Sequence, residues 1–261
     1  MNRRAAIAIT ASLLFGATMG VAHADALQDI KNKGAVRIAV LDQYPPWGYI
    51  GNDMKPIGFD VDFANLIGQR LGVKVQLVAT TGANRIPFLQ TGKVDMIVAC
   101  LGKNAEREKA IDFSAPYGSE FNGVFGPKDV KIANAKDLAG KTVGVARGSS
   151  EDVVLTRLAP AGTNILRYED SSGSVQALYS GQVGLVAIGS TVAATLNKKD
   201  AGQQMEFKIK LAEEPAFVGI AKNEPQLLAE LNAIIAQAEK DGTLNELSKK
   251  WFGLPVRANA G

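Results

Sequence analysis

Along most of the chain, short apolar runs rich in β-branched residues alternate with stretches of helical period. The runs at 36–41 (VRIAVL), 73–79, 95–101 (DMIVACL), 142–146 and 185–188 have the length and composition of buried strands. Between them the period changes. Phe59, Phe63, Leu66, Ile67 and Leu71 fall at offsets of 4, 7, 8 and 12, one apolar stripe that ends at Gly72. Further helices are expected at 86–90, 151–158, 174–179, 191–196 and 225–240, each stripe read as core packing. Strand alternating with helix predicts an α/β fold with parallel sheets. Two other apolar runs, 120–125 (EFNGVF) and 216–221 (AFVGIA), carry one glycine each and read as strand crossings between lobes. With both as hinges, residues 25–120 plus 219–261 form one lobe and 121–218 an inserted second lobe. A cleft between two hinged lobes suits closure around a small solute.

The first 24 residues follow another pattern. Arg3 and Arg4 precede an uncharged run at 5–21, and Ala22-His23-Ala24 forms an A-x-A site before Asp25. This reads as an export signal cleaved after Ala24. The run is short for a ~30 Å hydrocarbon core and lacks a basic stop-transfer flank, which argues against a membrane anchor. His23 is the single histidine and Cys100 the single cysteine. Cys/His zinc clusters, histidine relays and an internal disulfide are thereby excluded, and no metal or cofactor is expected. Acid and base work would fall to Asp, Glu, Lys, Tyr or Arg. The formal charge of +3 drops to about +1 once Arg3 and Arg4 leave with the signal, and no long Lys/Arg run is present. Nucleic acid is therefore not an expected partner. Cys100, in an apolar stretch, reads as a buried small residue.

Residues 103–117 read KNAEREKAIDFSAPY, with GFDVD at 58–62, GSS at 148–150 and KWFG at 250–253. In this order and spacing, the motifs resemble the amino-acid-type extracellular solute-binding proteins (family 3) of bacterial ABC importers, over essentially the whole chain after the signal. The resemblance implies a two-lobed periplasmic-binding-protein fold, a periplasmic location and a monomer. It also implies an amino acid or small carboxylate as ligand, a membrane permease as partner, and no catalysis. Arg107 matches the family's carboxylate-holding Arg; a guanidinium offers two parallel donors and keeps its charge when desolvated. Its other expected role is a surface ion pair with Glu106 or Glu108. Ser149 and Ser150, with the first amides of the next helix, would meet the same carboxylate from the opposite lobe or cap that helix. Asn84-Arg85-Ile86-Pro87 is similar to a stretch in acidic-amino-acid binders, where the Arg faces the cleft; otherwise Arg85 is an exposed first-turn residue. Tyr44 and Trp47 match the aromatic loop that walls the pocket, with Trp47 either wall or lobe core. Cys100, Gly102 and Gly189 also match positions at the ligand.

Two of these matches are departures. Family members hold the ligand's ammonium with an acid at the position of Gly189 and a hydroxyl at that of Gly102. Their absence means that Glu151 or another acid substitutes, or that the ligand lacks an α-amino group, because a buried ammonium without a counter-charge costs several kcal/mol. The glycines are also expected to leave room for a bulkier group. An enzyme is the alternative class, since one branch resembles cyclohexadienyl dehydratase and performs acid-assisted elimination in the same cleft. Glu151 would be its acid, although an acidic residue in a helix's first turn is also explained by the helix dipole.

Overall fold

A computed structural model describes residues 25–200 and 202–255. The export signal read at 1–24 lies outside them. Asp25 caps α1 (Ala26–Lys33) by accepting from the Leu27 amide. The chain continues through β1 (Ala35–Leu41) into a small antiparallel sheet of β2 (Gln43–Tyr44), β3 (Gly48–Ile50) and β4 (Pro56–Ile57). Next come α2 (Phe59–Leu71), β5 (Lys74–Thr80), α3 (Arg85–Gln90), β6 (Met96–Leu101), α4 (Ala105–Ala110) and β7 (Asp112–Gly126). A 3-10 turn (Ala135–Leu138) leads to β8 (Thr142–Ala146), α5 (Ser150–Leu158), β9 (Asn164–Tyr168), α6 (Ser171–Tyr179), β10 (Leu185–Gly189) and α7 (Ser190–Lys199). The chain then returns through β11 (Glu206–Ile220) to α8 (Pro225–Lys240) and α9 (Thr243–Phe252).

One eight-stranded sheet runs through the molecule in the order β5-β1-β6-β11-β7-β10-β8-β9. On one side β1 pairs in parallel with β5 and β6; on the other, β8 pairs in parallel with β9 and β10. The centre departs from the parallel arrangement expected. β7 and β11, 15 residues each, are antiparallel to one another, and β11 is antiparallel to β6 and β7 to β10, because they carry the chain out of the first lobe and back. The stretches 120–125 and 216–221 are largely parts of these strands. The mixed α/β sheet with a cleft between two lobes is the expected fold class.

An aromatic cluster fixes the loop that overhangs the cleft. Trp47 is fully buried, edge-on to Phe59 at 5.3 Å and beside Phe252 at 5.0 Å, while Phe63 stacks on Tyr117 at 4.4 Å. The amides of Phe59 and Asp60 donate to the carbonyls of Pro46 and Trp47. At this junction Gly58 has φ 135°, and a β-carbon there would lie 2.2 Å from the Trp47 carbonyl oxygen. Only glycine admits that approach.

Candidate functional site

The C-terminal ends of β1, β5 and β6 face the end of β8 and the start of α5 across a cleft, with β7 and β11 as its floor. Strand ends of an open α/β sheet are where ligands are commonly held. The space between its walls is about 490 Å³, open solvent at the mouth included. Tyr44, Arg85, Cys100, Ser149 and Ser150 line it, as do Thr81, Glu120, Asn122, Glu151 and Glu214.

Arg85 is 3% exposed at the start of α3, and its Nη1 donates to the carbonyls of Ala99 (2.7 Å) and Cys100 (3.3 Å). Its Nε is buried with no partner. Arg107, on α4, is 8% exposed and reaches the cleft-lining Ser150. Its Nη1 donates to the Gly102 carbonyl (2.7 Å) and to Ser150 Oγ (2.9 Å), and its Nη2 to the Gly148 carbonyl (3.1 Å). It thus ties the two lobes together, while Glu106 and Glu108 pair with Lys109 and Lys103. Burial, together with the nearby Arg85 charge, lowers the Arg107 pKa to about 10, which leaves it cationic at neutral pH. Ser149 caps α5 by accepting from the Asp152 amide, and the Ser150 hydroxyl accepts from Arg107. Trp47 is lobe core and sits outside the cleft; its Nε1 donates to Thr191 Oγ1 at 2.8 Å.

Tyr44 joins the lobes through its hydroxyl, 2.7 Å from Glu151 Oε1 and 3.0 Å from Glu120 Oε1, with the Gly189 amide donating to it at 3.1 Å. One phenolic proton can serve only one of the two carboxylates, so the second contact requires a proton on Glu120 or Glu151. Glu120 is the apt carrier: burial lifts its pKa to about 7, against donation from Thr191 and helped by the charge of Glu151. Thr191 donates to Glu120 Oε2 from both its amide and its hydroxyl, and the Cys100 thiol lies 3.4 Å from Oε1. Cys100 itself is buried in the left-handed region (φ 43°), its amide donating to Asp60 Oδ2 at 2.8 Å. Tyr117 donates to the other oxygen of Asp60, whose pKa burial raises to about 7.

The glycines do not leave open room. A β-carbon at Gly189 would lie 2.3 Å from both Glu120 oxygens and the Tyr44 hydroxyl. At Gly102 it would lie 1.6 Å from Glu214 Oε1. Acids from the two crossing strands therefore fill both positions. Glu214 Oε1 is buried without a partner, and burial raises the pKa of Glu214 to about 7 against the neighbouring Ser150 hydroxyl. Glu120, Asn122, Glu214 and Asp60 were not singled out from the sequence. The available signal was an acidic residue heading an otherwise apolar run, as Glu120 does in EFNGVF.

The model of the bacterial extracellular solute-binding proteins, family 3, matches residues 36–254. The L-cystine-binding protein TcyJ of Escherichia coli is 30% identical over 260 residues, covering 98% of this chain and 97% of that protein. A mutant of the arginine-binding protein ArgBP from T. maritima superposes with a TM-score of 0.82 at 28% identity, covering 87% of this chain and 99% of that one. The ancestral amino acid-binding protein AncCDT-1, a precursor of cyclohexadienyl dehydratase, superposes at 0.80 with 32% identity and coverages of 87% and 99%. With its two lobes, its crossing strands and a polar cleft at the strand ends, the chain belongs to the bacterial extracellular solute-binding proteins, family 3.

Proposed function

We propose that the protein is the solute-binding component of an ABC importer, exported to the periplasm with its signal cleaved after Ala24, and that it closes its lobes on an amino-acid-type solute for delivery to a membrane permease. One observation carries the solute reading. Apart from the Tyr168 hydroxyl, the buried side-chain polar atoms without a partner among the described residues are Thr81 Oγ1, Arg85 Nε, both amide atoms of Asn122 and Glu214 Oε1, all from residues of this one cleft. Buried polar groups are normally satisfied, so a cluster of unsatisfied ones is a template for a polar ligand. Arg85 and Arg107 take the solute's carboxylate, with Ser149, Ser150 and the α5 amides on the far side, and Tyr44 and Cys100 bound the pocket. The lobes, 25–120 plus 219–261 and 121–218, turn about β7 and β11.

A thermal-shift screen against amino acids, keto acids, dicarboxylates and opines tests this. A cognate solute at a hundredfold its Kd adds about 2.7 kcal/mol of apparent stability; a screen without any shift would remove the support. Elimination chemistry like that of cyclohexadienyl dehydratase is the weaker reading. The AncCDT-1 neighbour is described as an amino acid-binding protein, and Glu151 is engaged by Tyr44. Incubation with prephenate should yield no aromatic product, and turnover lost in Glu151→Gln would favour the enzyme.

A further inference from the structure

The two crossing strands have two faces, and the solute cleft occupies one of them. Along β7, Glu120 and Asn122 line the cleft, whereas Ser119 and Phe121 line a second hollow that Glu120 also borders. On β11, Glu214 lies opposite Glu120 in the ladder and lines the cleft, while Glu213 lines the second hollow. Neighbouring residues of a strand point to opposite faces, so the two hollows lie back to back across β7 and β11. The second is the larger, about 940 Å³ with open solvent at its mouth included. It is a groove with one wall from each lobe. Thr191, Ala194, Thr195 and Lys198, along one face of α7, stand against Trp251 and Phe252 of α9.

The chemistry of the groove differs from that of the cleft. Phe121, Trp251 and Phe252 are only partly buried and leave aromatic surface facing it. Among its charged residues, Glu213 is paired with Lys210, and Glu120 is buried and bonded to Thr191. Lys198 is exposed and has no ion pair or hydrogen bond among the described residues. The accessible, unpaired charge is therefore positive and sits beside an aromatic wall. Ring faces take a planar apolar body, and an ammonium takes a carboxylate.

The position of the groove gives an occupant leverage on the lobes. At its wall Trp47 of the first lobe donates to Thr191 of the second at 2.8 Å. Turning the lobes about β7 and β11 to open the cleft brings α7 towards α9 on the other side of the strands. A molecule held between the two helices opposes that approach. We propose that the groove between α7 and α9 binds an aromatic carboxylate, with its ring on Phe121, Trp251 and Phe252 and its carboxylate on Lys198, and that this occupant favours the lobes closed on the solute. The leverage rests on the reading of the protein as two lobes that close about the crossing strands. By linkage, solute and occupant raise each other's affinity by the same factor.

Calorimetry with 2-naphthoate as the probe tests the site on the wild type, Ala194→Phe and Lys198→Gln. Ala194 is exposed on α7, so a phenyl ring there fills the groove without entering the core. Naphthoate should bind the wild type at millimolar concentration or below, and Ala194→Phe should abolish that binding. Lys198→Gln should weaken it about fivefold, or ~1 kcal/mol, and leave the binding of neutral 2-naphthamide unchanged; this exposed position keeps the test decisive should Ala194→Phe fail to fold. No binding to the wild type, undiminished binding to Ala194→Phe, or unchanged naphthoate affinity in Lys198→Gln would overturn the site. Naphthoate that binds only once residues 256–261 are removed would also overturn it, giving the groove to the chain's own C-terminal segment. The leverage is read with L-arginine, L-glutamine and L-cystine. Whichever of them binds should do so at least threefold more tightly with naphthoate present, and equally with or without it in Ala194→Phe. An unchanged or weakened affinity in the wild type would remove the leverage while leaving the solute reading intact. If none of the three binds, the amino-acid reading fails, and naphthoate binding with its loss in Ala194→Phe still decides the groove.

Discussion

Arg107 is held by acceptors from both lobes, the Gly102 carbonyl on one side and Ser150 Oγ with the Gly148 carbonyl on the other. A solute carboxylate would replace weak neutral acceptors with a charged one, which strengthens the same lobe-to-lobe link. Arg107→Ala should weaken solute binding by about 2–5 kcal/mol, as truncating one partner of a buried charge pair does. Arg107→Lys should recover only part, because it loses the planar fork. Unchanged calorimetric affinity in the alanine variant would take the anchor role away from Arg107. At Gly189 an added methyl would meet the Glu120 carboxylate and Tyr44 hydroxyl at 2.3 Å. Gly189→Ala should therefore destabilise the fold by about 1–3 kcal/mol, the range for overpacking, read as a lower denaturation midpoint.

At the scale of elements, the start of α2 positions the cleft from behind. Gly58 bends the chain so that two helix amides bond the loop carrying Tyr44 and Trp47, and the first turn delivers Asp60 to Cys100 and Tyr117. Gly58→Ala should cost several kcal/mol, because its strained φ and the 2.2 Å approach to the Trp47 carbonyl add together. A chemical-denaturation midpoint like that of the wild type would show that the loop relaxes freely. The α5 start is a simpler case. Ser149→Ala removes a cap worth about 1 kcal/mol, and stability measured without ligand isolates that loss from any effect on binding. The elements that were legible beforehand are those with an internal period, such as the stripe from Phe59 to Leu71. α1, α4, β9, α9 and the small β2-β3-β4 sheet were not, although α1 and α9 each carry an apolar face of helical period. β7 was read only in part, because DFSAPYG interrupts strand alternation with Pro116 and Gly118.

For the whole molecule, three buried carboxyls link stability to pH. Asp60, Glu120 and Glu214 are each lifted by burial from ordinary values of 3.8, 4.5 and 4.5 to about 7. Between those values the folded protein keeps protons that the unfolded chain releases, so stability present at low pH is lost as pH rises through about 7. The ligand-free melting temperature should decline from pH 5 to pH 8, by a loss on the order of a few kcal/mol across the three groups. A melting temperature that climbs over this interval would mean that the carboxyls are ionised in the fold.

The α/β character, the E-R and D-F-S motif and the two crossing runs were readable along the chain, because each is local: a period, a composition or a contiguous motif. The departures at Gly102 and Gly189 were readable too, as missing side chains. What fills them was not. The pairing of Glu120 with Glu214 depends on the register of two strands distant in sequence, and the enclosure of both depends on the lobes meeting over them. Trp47 became core rather than wall for the same reason, since Phe252 near the end of the described chain packs against it. Burial is a property of neighbours brought together by the fold. It sets which carboxyls hold protons, which arginine is tied between lobes, and which polar atoms are left for a ligand to satisfy.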